Sequence, residues 1–466
     1  MIPVKGVSGA RIAVLGLGRS GLSAMRALRA GGADVLCWDD SKDARAIAEA
    51  EGAMLHDFSV PGAWNGVVEL VLSPGIPHLY PHPNAHVAAA MAAGIPIDND
   101  VGLFFRSLAI PGRGGSRKFP RVVAVTGSNG KSTTVALIHH CLVASGRESQ
   151  LAGNIGRGVL DIDSPGKDGT IVLELSSYQI EVARSLAPDV AVFTNFGPDH
   201  LDRHGGLGGY FAAKQRLFLQ GRPRVAVIGI DEVEGKFLEN RLVGGSSENR
   251  IIRVTADSTS ASEGWSITAK DGILTELHEG QSAASLDLGE MQGLPGVHNH
   301  QNACAAFAVL RALEVSSAAI REGMLSFEGL PHRGQVVARW NGVTFVNDSK
   351  ATNVDAAARS LAVFPRVRWI VGGQLKEGGI SALQSSLETV VKAYAIGGQA
   401  TEVARDLEGV ELEVCSTMAA AVRCAAKDAQ PGDTVLLAPA AASFDSYGSF
   451  EERGDDFIAE VRKVVD

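Results

Sequence analysis

Short apolar runs that end abruptly in glycine or polar residues recur along the whole sequence. The first run, residues 11–15, passes directly into Gly16-Leu17-Gly18, and leucine and methionine residues then return at helical spacing. Such runs, with amphipathic helices between them, are typical of strands buried on both faces of a mainly parallel sheet. The alternation therefore predicts an α/β fold.

Further strands are predicted wherever this pattern returns, at residues 33–38, 67–72, 121–125, 170–175, 190–194, 225–230, 343–347, 367–371, 393–396 and 434–438. A more polar, alternating stretch around 248–288 predicts a small antiparallel addition, and an alanine-rich helix is predicted over 299–313. Unusual polar clusters follow nearly every predicted strand. Because ligands of open α/β sheets bind beyond the carboxyl ends of the strands, these clusters predict a site assembled between domains.

A chain of 466 residues exceeds what one hydrophobic core ordinarily serves, so several domains are expected. Glycine, proline and charged residues without periodicity at 110–120 predict a linker, and a new block begins near Pro331. We therefore predict domains at 1–112, 113–330 and 331–466.

Charge and cysteine usage exclude several classes of protein. A formal net charge of −9 disfavours a general nucleic-acid binder, which needs clustered positive charge. The five cysteines are scattered without a C-x-x-C pair, so neither a disulfide framework nor a structural zinc site is predicted. We also predict no membrane span and no secretory signal, and therefore expect a cytoplasmic protein.

The segment from Thr126 to Thr133 has the form of a nucleotide-binding loop. A predicted strand enters it and a helix leaves it, so backbone N–H groups and the positive end of the helix dipole point at one place. Lys131 supplies positive charge for terminal phosphates, and the hydroxyl of Ser132 is a candidate Mg²⁺ ligand. Its G-x-x-G-K-S spacing is shorter than the usual G-x-x-x-x-G-K-[ST], and the alternative is an ordinary turn at a helix start. The residues predicted to bind ATP are Gly127, Ser128, Asn129, Gly130, Lys131, Ser132 and Thr133.

A second glycine turn has the form G-x-G-x-x-G, at Gly16, Gly18 and Gly21, between the first predicted strand and a helix. With Asp39 about 20 residues further on, it fits a dinucleotide-binding turn. It could hold NAD or only the diphosphate of another nucleotide, or the glycines could merely permit close packing of strand and helix. No hydride-transfer site is evident in this block.

Three further positions in the central block bear on metal chemistry. Glu174 lies at the end of a predicted strand, so its carboxylate can reach a cation held at the phosphate loop. A run of acids, histidines and arginine at 199–204 is hard to explain by fold maintenance, and His200 is its candidate ligand, although hard cations prefer oxygen. Lys214, taken from its helical context alone, is predicted to be an ordinary exposed lysine.

The last block offers donors for an anion. Polar or small residues follow predicted strands at 347–353, 372–376 and 438–445. Within them, Lys350, Lys376 and Ser443 can donate hydrogen bonds. Each run alone is a plausible turn, but the three together favour an anionic, carboxylate-bearing ligand.

Taken in order, these segments closely resemble the Mur ligase family of bacterial peptidoglycan synthesis. The resemblance covers essentially the whole chain and rests on T-G-S-N-G-K-S-T, E-L-S-S-Y-Q, D-H-L-D, H-N-x-x-N at 298–302, P-H-R at 331–333, N-D-S-K-A-T-N and the closing S-F-D-S-Y-G-S-F-E-E-R-G. It implies a Rossmann-like N-terminal domain for a UDP-sugar, a P-loop-type central ATPase domain, and a Rossmann-like C-terminal domain for an amino acid.

The resemblance also implies a role for each candidate residue. It replaces NAD by the UDP moiety at the first glycine turn. It reverses the interpretation of Lys214, because the family has a lysine at this place that CO₂ carbamylates to help position Mg²⁺. The implied ligands of two Mg²⁺ ions are Ser132, Glu174, His200 and carbamylated Lys214, and the implied catalytic residues are Lys131, Glu174, His200 and Lys214. Implied ATP contacts beyond the loop are Asn299, Arg333, Asp348 and Lys350. Implied substrate contacts are Gly16, Gly18, Asp39, Ser73, Pro74, Gly75 and Asn154 on the UDP-muramoyl side, and Thr352, Lys376, Ser443 and Phe450 around D-glutamate.

The implied reaction joins D-glutamate to UDP-N-acetylmuramoyl-L-alanine through an acyl phosphate, with consumption of ATP, in a monomeric enzyme. Two departures from the family pattern stand out: Phe196-Gly197 replaces a more usual small or β-branched pair, and the helix leading to Lys214 is one residue short. The alternatives are a sibling ligase with another amino acid, a folylpolyglutamate-type ligase, an NAD-dependent dehydrogenase and a non-catalytic nucleotide-binding regulator. The dehydrogenase explains the first glycine turn but leaves Lys131 and Glu174 without a role.

Overall fold

In the computed structural model, the described residues are 1–108, 120–163, 166–244, 250–256, 264–291, 293–294, 296–375, 379–407 and 409–465. Within them the strands form three sheets flanked by helices, which confirms the predicted α/β class. Packing divides the chain into two compact units, Met1–Leu288 with His300–Met324 and Gly289–Asn299 with Leu325–Asp466. The predicted boundary between the first two domains falls outside the described residues, and the division into three domains stays a prediction.

The first sheet is wholly parallel, in the order β3-β2-β1-β4-β5. Its elements are β1 (Arg11–Leu15), α1 (Arg19–Ala30), β2 (Asp34–Trp38), α2 (Lys42–Ala50), β3 (Met54–Leu55), β4 (Val67–Leu72), α3 (Ala85–Ala92), β5 (Ile97–Asp98) and α4 (Asp100–Ser107). The central strands β1 and β4 are apolar and largely buried, as strands covered on both faces require. The strand order reverses between them, so Gly16 and Ser73, which follow these strands, border a crevice of the kind that binds nucleotides.

The second sheet has the order β14-β13-β12-β11-β10-β9-β6-β8-β7. Its elements and the helices around it are β6 (Arg121–Thr126), α5 (Lys131–Ala144), β7 (Ser149–Gly153), β8 (Thr170–Glu174), α6 (Ser177–Val182), β9 (Val190–Phe193), α7 (Leu201–His204), α8 (Leu207–Leu219), β10 (Val225–Gly229), α9 (Val233–Val243), β11 (Arg250–Thr255), β12 (Trp265–Lys270), β13 (Ile273–His278), β14 (Gln281–Asp287), α10 (His298–Ala312) and α11 (Ser317–Leu325). Because β8, β6, β9 and β10 are adjacent and parallel, the residues after them meet at one edge of the sheet. The predicted antiparallel addition is confirmed for β12–β14, but β11 in the same stretch pairs parallel with β10.

The third sheet lies in the second unit, in the order β15-β16-β20-β17-β18-β19. Its elements are β15 (Gln335–Trp340), β16 (Val343–Asn347), α12 (Val354–Leu361), β17 (Val367–Gly372), β18 (Val390–Ile396), α13 (Ala400–Asp406), β19 (Leu412–Ser416), α14 (Met418–Asp428), β20 (Thr434–Leu437) and α15 (Phe450–Val465). The edge pair β15–β16 is antiparallel and the remaining pairs are parallel. Apolar clusters cover both faces of this sheet, around Trp369 on one side and Phe345 on the other.

A continuous apolar core joins the first two sheets within the first unit, and it includes Val14, Phe104 and Leu173. Polar contacts support this packing: the side chain of Asn99 donates to the carbonyl of Gln179 over 2.7 Å, at the start of α4. None of the helices in the described part of the chain combines the length and apolar character that crossing a membrane requires.

Candidate active site

The phosphate loop connects β6 to α5, and its two glycines stand where no other residue fits. Gly130 caps α5 with a left-handed backbone at φ 78°, and a Cβ there would lie 1.9 Å from Oδ1 of Asn302. Gly127 has φ 145°, and a Cβ there would lie 1.9 Å from Oγ1 of Thr194. The tight turn leads directly into the start of α5, and a glycine-rich turn before a helix start is the arrangement that binds phosphate.

Two lysine side chains meet at the backbone of this loop. The Nζ atom of Lys131 donates to the carbonyls of Gly127 and Ser128, at 3.0 and 2.8 Å. The Nζ atom of Lys214, from α8, donates to the same Gly127 carbonyl at 2.7 Å. The Lys131 amine thus lies against the loop, and the fold adds a second amine to it.

Lys214 is buried, with 1% of its surface exposed, so the prediction of an ordinary surface lysine is wrong. Its helix carries Tyr210, Lys214 and Leu217 on one buried face, and the Lys214 amine lies 4.4 Å from the centre of the Tyr210 ring. Burial, and then the neighbouring Lys131 ammonium, lower the pKa of the Lys214 amine well below its usual range. A larger uncharged fraction makes this amine a better nucleophile than a solvent-exposed lysine.

Glu174 ends β8 at the same edge of the sheet and is 1% exposed. Its Oε1 accepts a hydrogen bond of 2.8 Å from Nδ2 of Asn154, whose backbone N–H also donates to the Glu174 carbonyl at 2.9 Å. Its Oε2 is buried without a hydrogen-bond partner. A buried carboxylate oxygen without a donor is costly, and a hard cation is the kind of ligand that it suits.

His200 stands immediately before α7, with a left-handed backbone at φ 51° and about half of its side chain exposed. Its ring lies 5.0 Å from that of Tyr178, and its Nε2 lies 3.3 Å from the Asp199 carboxylate. Burial is the largest influence on the His200 pKa and lowers it, which favours the neutral imidazole that can bind a metal.

Two further residues of the run at 199–204 were given no role of their own from sequence. Arg203 lies over the Tyr178 ring and donates to the carbonyl of Gly75 over 3.0 Å. His204, in contrast, is buried, and its Nε2 lies 2.9 Å from the hydroxyl of Ser177. The segment around His200 therefore contacts both α6 and the turn after β4.

The first glycine turn and the turn after β4 touch each other directly. The hydroxyl of Ser73 donates to the carbonyl of Gly16 over 2.9 Å, and a Cβ on Gly21 would lie 1.7 Å from that carbonyl oxygen. Asp39 accepts from the N–H of Leu17 at 2.6 Å, so its carboxylate supports the turn itself. Gly18 and Pro74 complete the predicted set in the two adjoining turns. The sequence-predicted residues of this block are thus brought together.

The turns of the second unit bring together another group. The amine of Lys350 lies 3.8 Å from the centre of the Phe450 ring, and the Thr352 N–H donates to the Lys350 carbonyl at 2.7 Å. Asp348 accepts from the Gly334 N–H at 3.3 Å, next to Arg333, and burial raises the pKa of the Asp348 carboxyl.

Ser443 is buried in the turn after β20, and Asn299 lies in the first turn of α10. Lys376 lies outside the described residues. A residue that was not predicted, Arg453, is buried and donates from Nη2 to the Ser349 carbonyl and from Nη1 to the Ala441 carbonyl, at 2.9 and 3.1 Å. It joins the turn after β16 to the turn after β20.

The described part of the chain contains one group of three acidic, histidine or cysteine side chains close enough to share an ion. It consists of Glu413, Cys415 and Cys424, on β19 and α14. The ammonium of Lys392 lies 2.9 Å from the Glu413 carboxylate and 2.7 Å from that of Asp428. Because this ammonium already neutralises the carboxylates, we interpret the group as a salt-bridged cluster.

Comparison with known proteins adds a second kind of observation. The family model of the Mur ligase middle domain matches residues 125–310, and that of the Mur ligase glutamate ligase domain matches residues 332–441. The chain is 61% identical to the UDP-N-acetylmuramoylalanine–D-glutamate ligases of Ruegeria pomeroyi and Dinoroseobacter shibae, over 100% of this chain and 100% of each relative. It is also similar to the crystal structure of UDP-N-acetylmuramate–alanine ligase MurC from Thermotoga maritima, with a TM-score of 0.59 and 18% identity over 97% of this chain and 99% of that one. At that identity the likeness concerns the fold alone.

Proposed function

The chain belongs to the Mur ligase family, and we propose that it is the ligase that joins D-glutamate to UDP-N-acetylmuramoyl-L-alanine in peptidoglycan synthesis. The observation that carries this proposal is the 61% identity, over full length, to relatives of that name. It is an ATP-dependent enzyme that forms an amide bond. We also propose that it acts as a monomer in the cytoplasm, where ATP and UDP-sugars are made.

The reaction proceeds in two balanced steps. An oxygen of the terminal alanine carboxylate bonds to the γ-phosphorus of ATP, the bond from that phosphorus to the β–γ bridging oxygen breaks, and ADP leaves. The uncharged amine of D-glutamate then attacks the carbonyl carbon of the acyl phosphate. A C–N bond forms, the C–O bond to phosphate breaks, the amine loses a proton, and phosphate leaves.

The residues of the phosphate loop suit the ATP end of this reaction. The amides of Gly130, Lys131, Ser132 and Thr133 at the start of α5 would bind the terminal phosphates, assisted by the Lys131 ammonium. The Lys131 ammonium is held beside the loop by hydrogen bonds to two loop carbonyls. On binding of ATP, it can donate to phosphate oxygens in place of these carbonyls. The catalytic contribution is mainly positioning and charge neutralisation.

Mg²⁺ fits the unpartnered oxygen of Glu174, which is buried at the edge where the phosphate loop begins. One Mg²⁺ ion would be held by Glu174 and the Ser132 hydroxyl. A second ion would be held by His200 and the carbamate of Lys214. Bound Mg²⁺ neutralises charge on the transferred phosphoryl group. Asn154 keeps Glu174 oriented through its 2.8 Å hydrogen bond and would also lie near the muramoyl substrate.

We propose that Lys214 is carbamylated by CO₂. Two features support this: the amine is buried, and its pKa is lowered, so an uncharged nitrogen is available to attack CO₂. The N–C bond that forms replaces one N–H bond, and the product is an oxygen-rich anion that suits a hard metal. A carbamate here would also offset the positive charge of Lys131.

The two outer blocks would hold the substrates. Gly16, Gly18, Asp39 and the turn Ser73-Pro74-Gly75 would hold the UDP moiety, whose diphosphate suits the amides at the start of α1. In the second unit, Asn299, Arg333, Asp348 and Lys350 would contact ATP. Thr352, Lys376, Ser443 and Phe450 would surround D-glutamate.

Phosphate release from the purified full chain tests this function. We expect release that requires Mg²⁺, ATP, UDP-N-acetylmuramoyl-L-alanine and D-glutamate together, and that fails with L-glutamate, L-lysine or diaminopimelate in place of D-glutamate. Lys131→Met is the matched control, because it should fold normally and release no phosphate. Release with another amino acid would assign the chain to a sibling ligase, and turnover of NADH would contradict the proposal altogether.

A further inference from the structure

Asn129, in the phosphate loop, is held by the two residues that follow β9, Thr194 and Asn195. Its backbone N–H donates to Oδ1 of Asn195 over 2.8 Å, and its carbonyl accepts from the hydroxyl of Thr194 over 2.7 Å. The N–H of Ser128 also donates to the Asn195 carbonyl, at 3.0 Å. The Asn129 amide therefore points at the side chain of Asn195.

Asn195 is itself held by a chain of side chains that runs along the carboxyl edge of the second sheet. Its Nδ2 donates to Oε1 of Gln301 over 3.0 Å, and Nε2 of Gln301 donates to the Asp231 carboxylate over 2.7 Å. Asn129, Asn195 and Asp231 follow β6, β9 and β10, which are neighbours in the sheet. Gln301, buried in α10, bridges the last gap.

The direction of each hydrogen bond in this series of side chains is fixed by the groups at its two ends, the Asp231 carboxylate and the Asn129 N–H. A carboxylate only accepts, so the amide nitrogen of Gln301 must face Asp231, and its oxygen must face Asn195. The nitrogen of Asn195 must then face Gln301, which leaves its oxygen for the backbone N–H of Asn129. Both amide side chains are thereby locked in one of their two orientations.

We propose that Asn195 is a positioning residue for nucleotide binding: with Gln301 and Asp231 it forms a polar relay that holds Asn129, and with it the phosphate loop, in the conformation that binds ATP. This inference rests on the proposed function, in that the loop is taken to bind ATP. The relay contacts the loop from the side of the neighbouring strand, at Asn129, and not at the amides that begin α5. Its contribution is preorganisation, because a loop already in its bound conformation loses less entropy on binding.

The first test removes one link without adding charge. Gln301→Met keeps the length of the side chain and abolishes both of its hydrogen bonds. We expect about tenfold weaker binding of ADP and of a non-hydrolysable ATP analogue by calorimetry, the effect of about one lost hydrogen bond at a structured loop. In the ligation assay the KM for ATP should rise by a similar factor, with a smaller change in kcat. Gln220→Met, at an exposed position at the end of α8, is the matched control and should bind nucleotide as the wild type does.

The second test reverses the direction of the hydrogen bonds between positions 195, 301 and 231. Asn195→Asp places an acceptor opposite the Gln301 oxygen and should weaken nucleotide binding at least as much as Gln301→Met. Adding Asp231→Asn lets Gln301 turn over, because the amide introduced at position 231 can donate where the Asp231 carboxylate could only accept. The oxygen of that amide can still accept from Thr255 and the Ala256 N–H, as Asp231 does.

The double variant is therefore expected to recover affinity relative to Asn195→Asp. Both variants carry a carboxylate at position 195, so its repulsion of the nucleotide is common to them. Asp231→Asn alone measures the effect of removing the charge at position 231, and a recovery larger than that effect reports the hydrogen-bond direction. The proposal is overturned if Asn195→Asp binds nucleotide like the wild type, or if the double variant binds no better than Asn195→Asp. Thermal unfolding of each variant confirms that it is folded. Nucleotide binding is measured without the other substrates, so a wild type that binds ATP but fails to ligate would count against the proposed function alone.

Discussion

Replacing Glu174 by glutamine should make the metal-free protein slightly more stable while removing its activity. The reason is the buried Oε2 atom, which has no hydrogen-bond donor, whereas Oε1 has the Asn154 amide at 2.8 Å. An unsatisfied buried polar atom costs about 1–3 kcal/mol, and more when it is charged. Glu174→Gln keeps the Asn154 hydrogen bond and removes the charge, so we expect stabilisation of about 1 kcal/mol, or about 2 °C in the unfolding temperature.

Glu69 offers the opposite case in the same unit. It is 5% exposed and forms two hydrogen bonds of 2.9 Å with the Arg106 guanidinium. Glu69→Gln removes the charge from a satisfied pair and should destabilise the protein by about 2 kcal/mol, the magnitude of a hydrogen bond to a charged group. The two substitutions are chemically identical and are expected to shift the unfolding temperature in opposite directions.

Differential scanning calorimetry without metal or nucleotide measures the two shifts, and the phosphate-release assay measures activity. Glu174→Gln should lower the ligation rate about 100-fold or more, as loss of one electrostatic contact to the transition state does. Mg²⁺ with ATP should also stabilise this variant less than the wild type. Destabilisation of the metal-free Glu174→Gln protein to the same extent as Glu69→Gln, or full activity, would refute the role of Oε2 as a cation ligand.

Three further predictions concern other parts of the first unit. Lys214→Ala should lower ligation about 100-fold or more, and added formate or acetate should restore part of the rate. Wild-type activity should fall when CO₂ is stripped and return with bicarbonate. An unchanged rate in Lys214→Ala would contradict the carbamate. Gly130→Ala should raise the KM for ATP and lower the unfolding temperature, because alanine at φ 78° costs about 1 kcal/mol before its clash with Asn302 is counted; a normal KM would contradict the need for glycine. Burial raises the pKa of Asp98 from 3.8 to about 6. This carboxyl therefore lowers the stability of the fold progressively as pH rises from 3.8 to about 6, and the loss persists at higher pH. Asp98→Asn should raise the unfolding temperature more at pH 8 than at pH 4, and equal shifts at the two pH values would contradict this.

The central strands and the phosphate loop could be predicted from sequence because their signals are local. The strands β3, β5, β7, β15 and β19 were not predicted, and all five lie at sheet edges. Apolar runs such as 67–72 and 343–347 coincide with β4 and β16, since strands buried on both faces need no alternation. The loop was recognisable because Gly127 and Gly130 are required by backbone conformations that glycine adopts at no cost. The clustering of polar residues after strands likewise predicted which edge of each sheet would bear the candidate site.

The environment of Lys214 could not be predicted in the same way. Its spacing from Tyr210 places both on one face of α8, but only the packing of that helix decides whether the face meets solvent or the phosphate loop. The relay was equally inaccessible, because Asn195 and Gln301 are 106 residues apart and meet only when α10 lies across the sheet. The same limit applies to Arg453, whose partner Ser349 is 104 residues away.

The path of one oxygen atom tests the central claim most directly. UDP-N-acetylmuramoyl-L-alanine labelled with ¹⁸O in both oxygens of the alanine carboxylate is incubated with the enzyme, Mg²⁺, ATP and D-glutamate, and the released phosphate is analysed by mass spectrometry. Activation through an acyl phosphate predicts one ¹⁸O in each phosphate and one in the amide product, with no phosphate formed when D-glutamate is omitted. Phosphate free of ¹⁸O would contradict the proposed reaction.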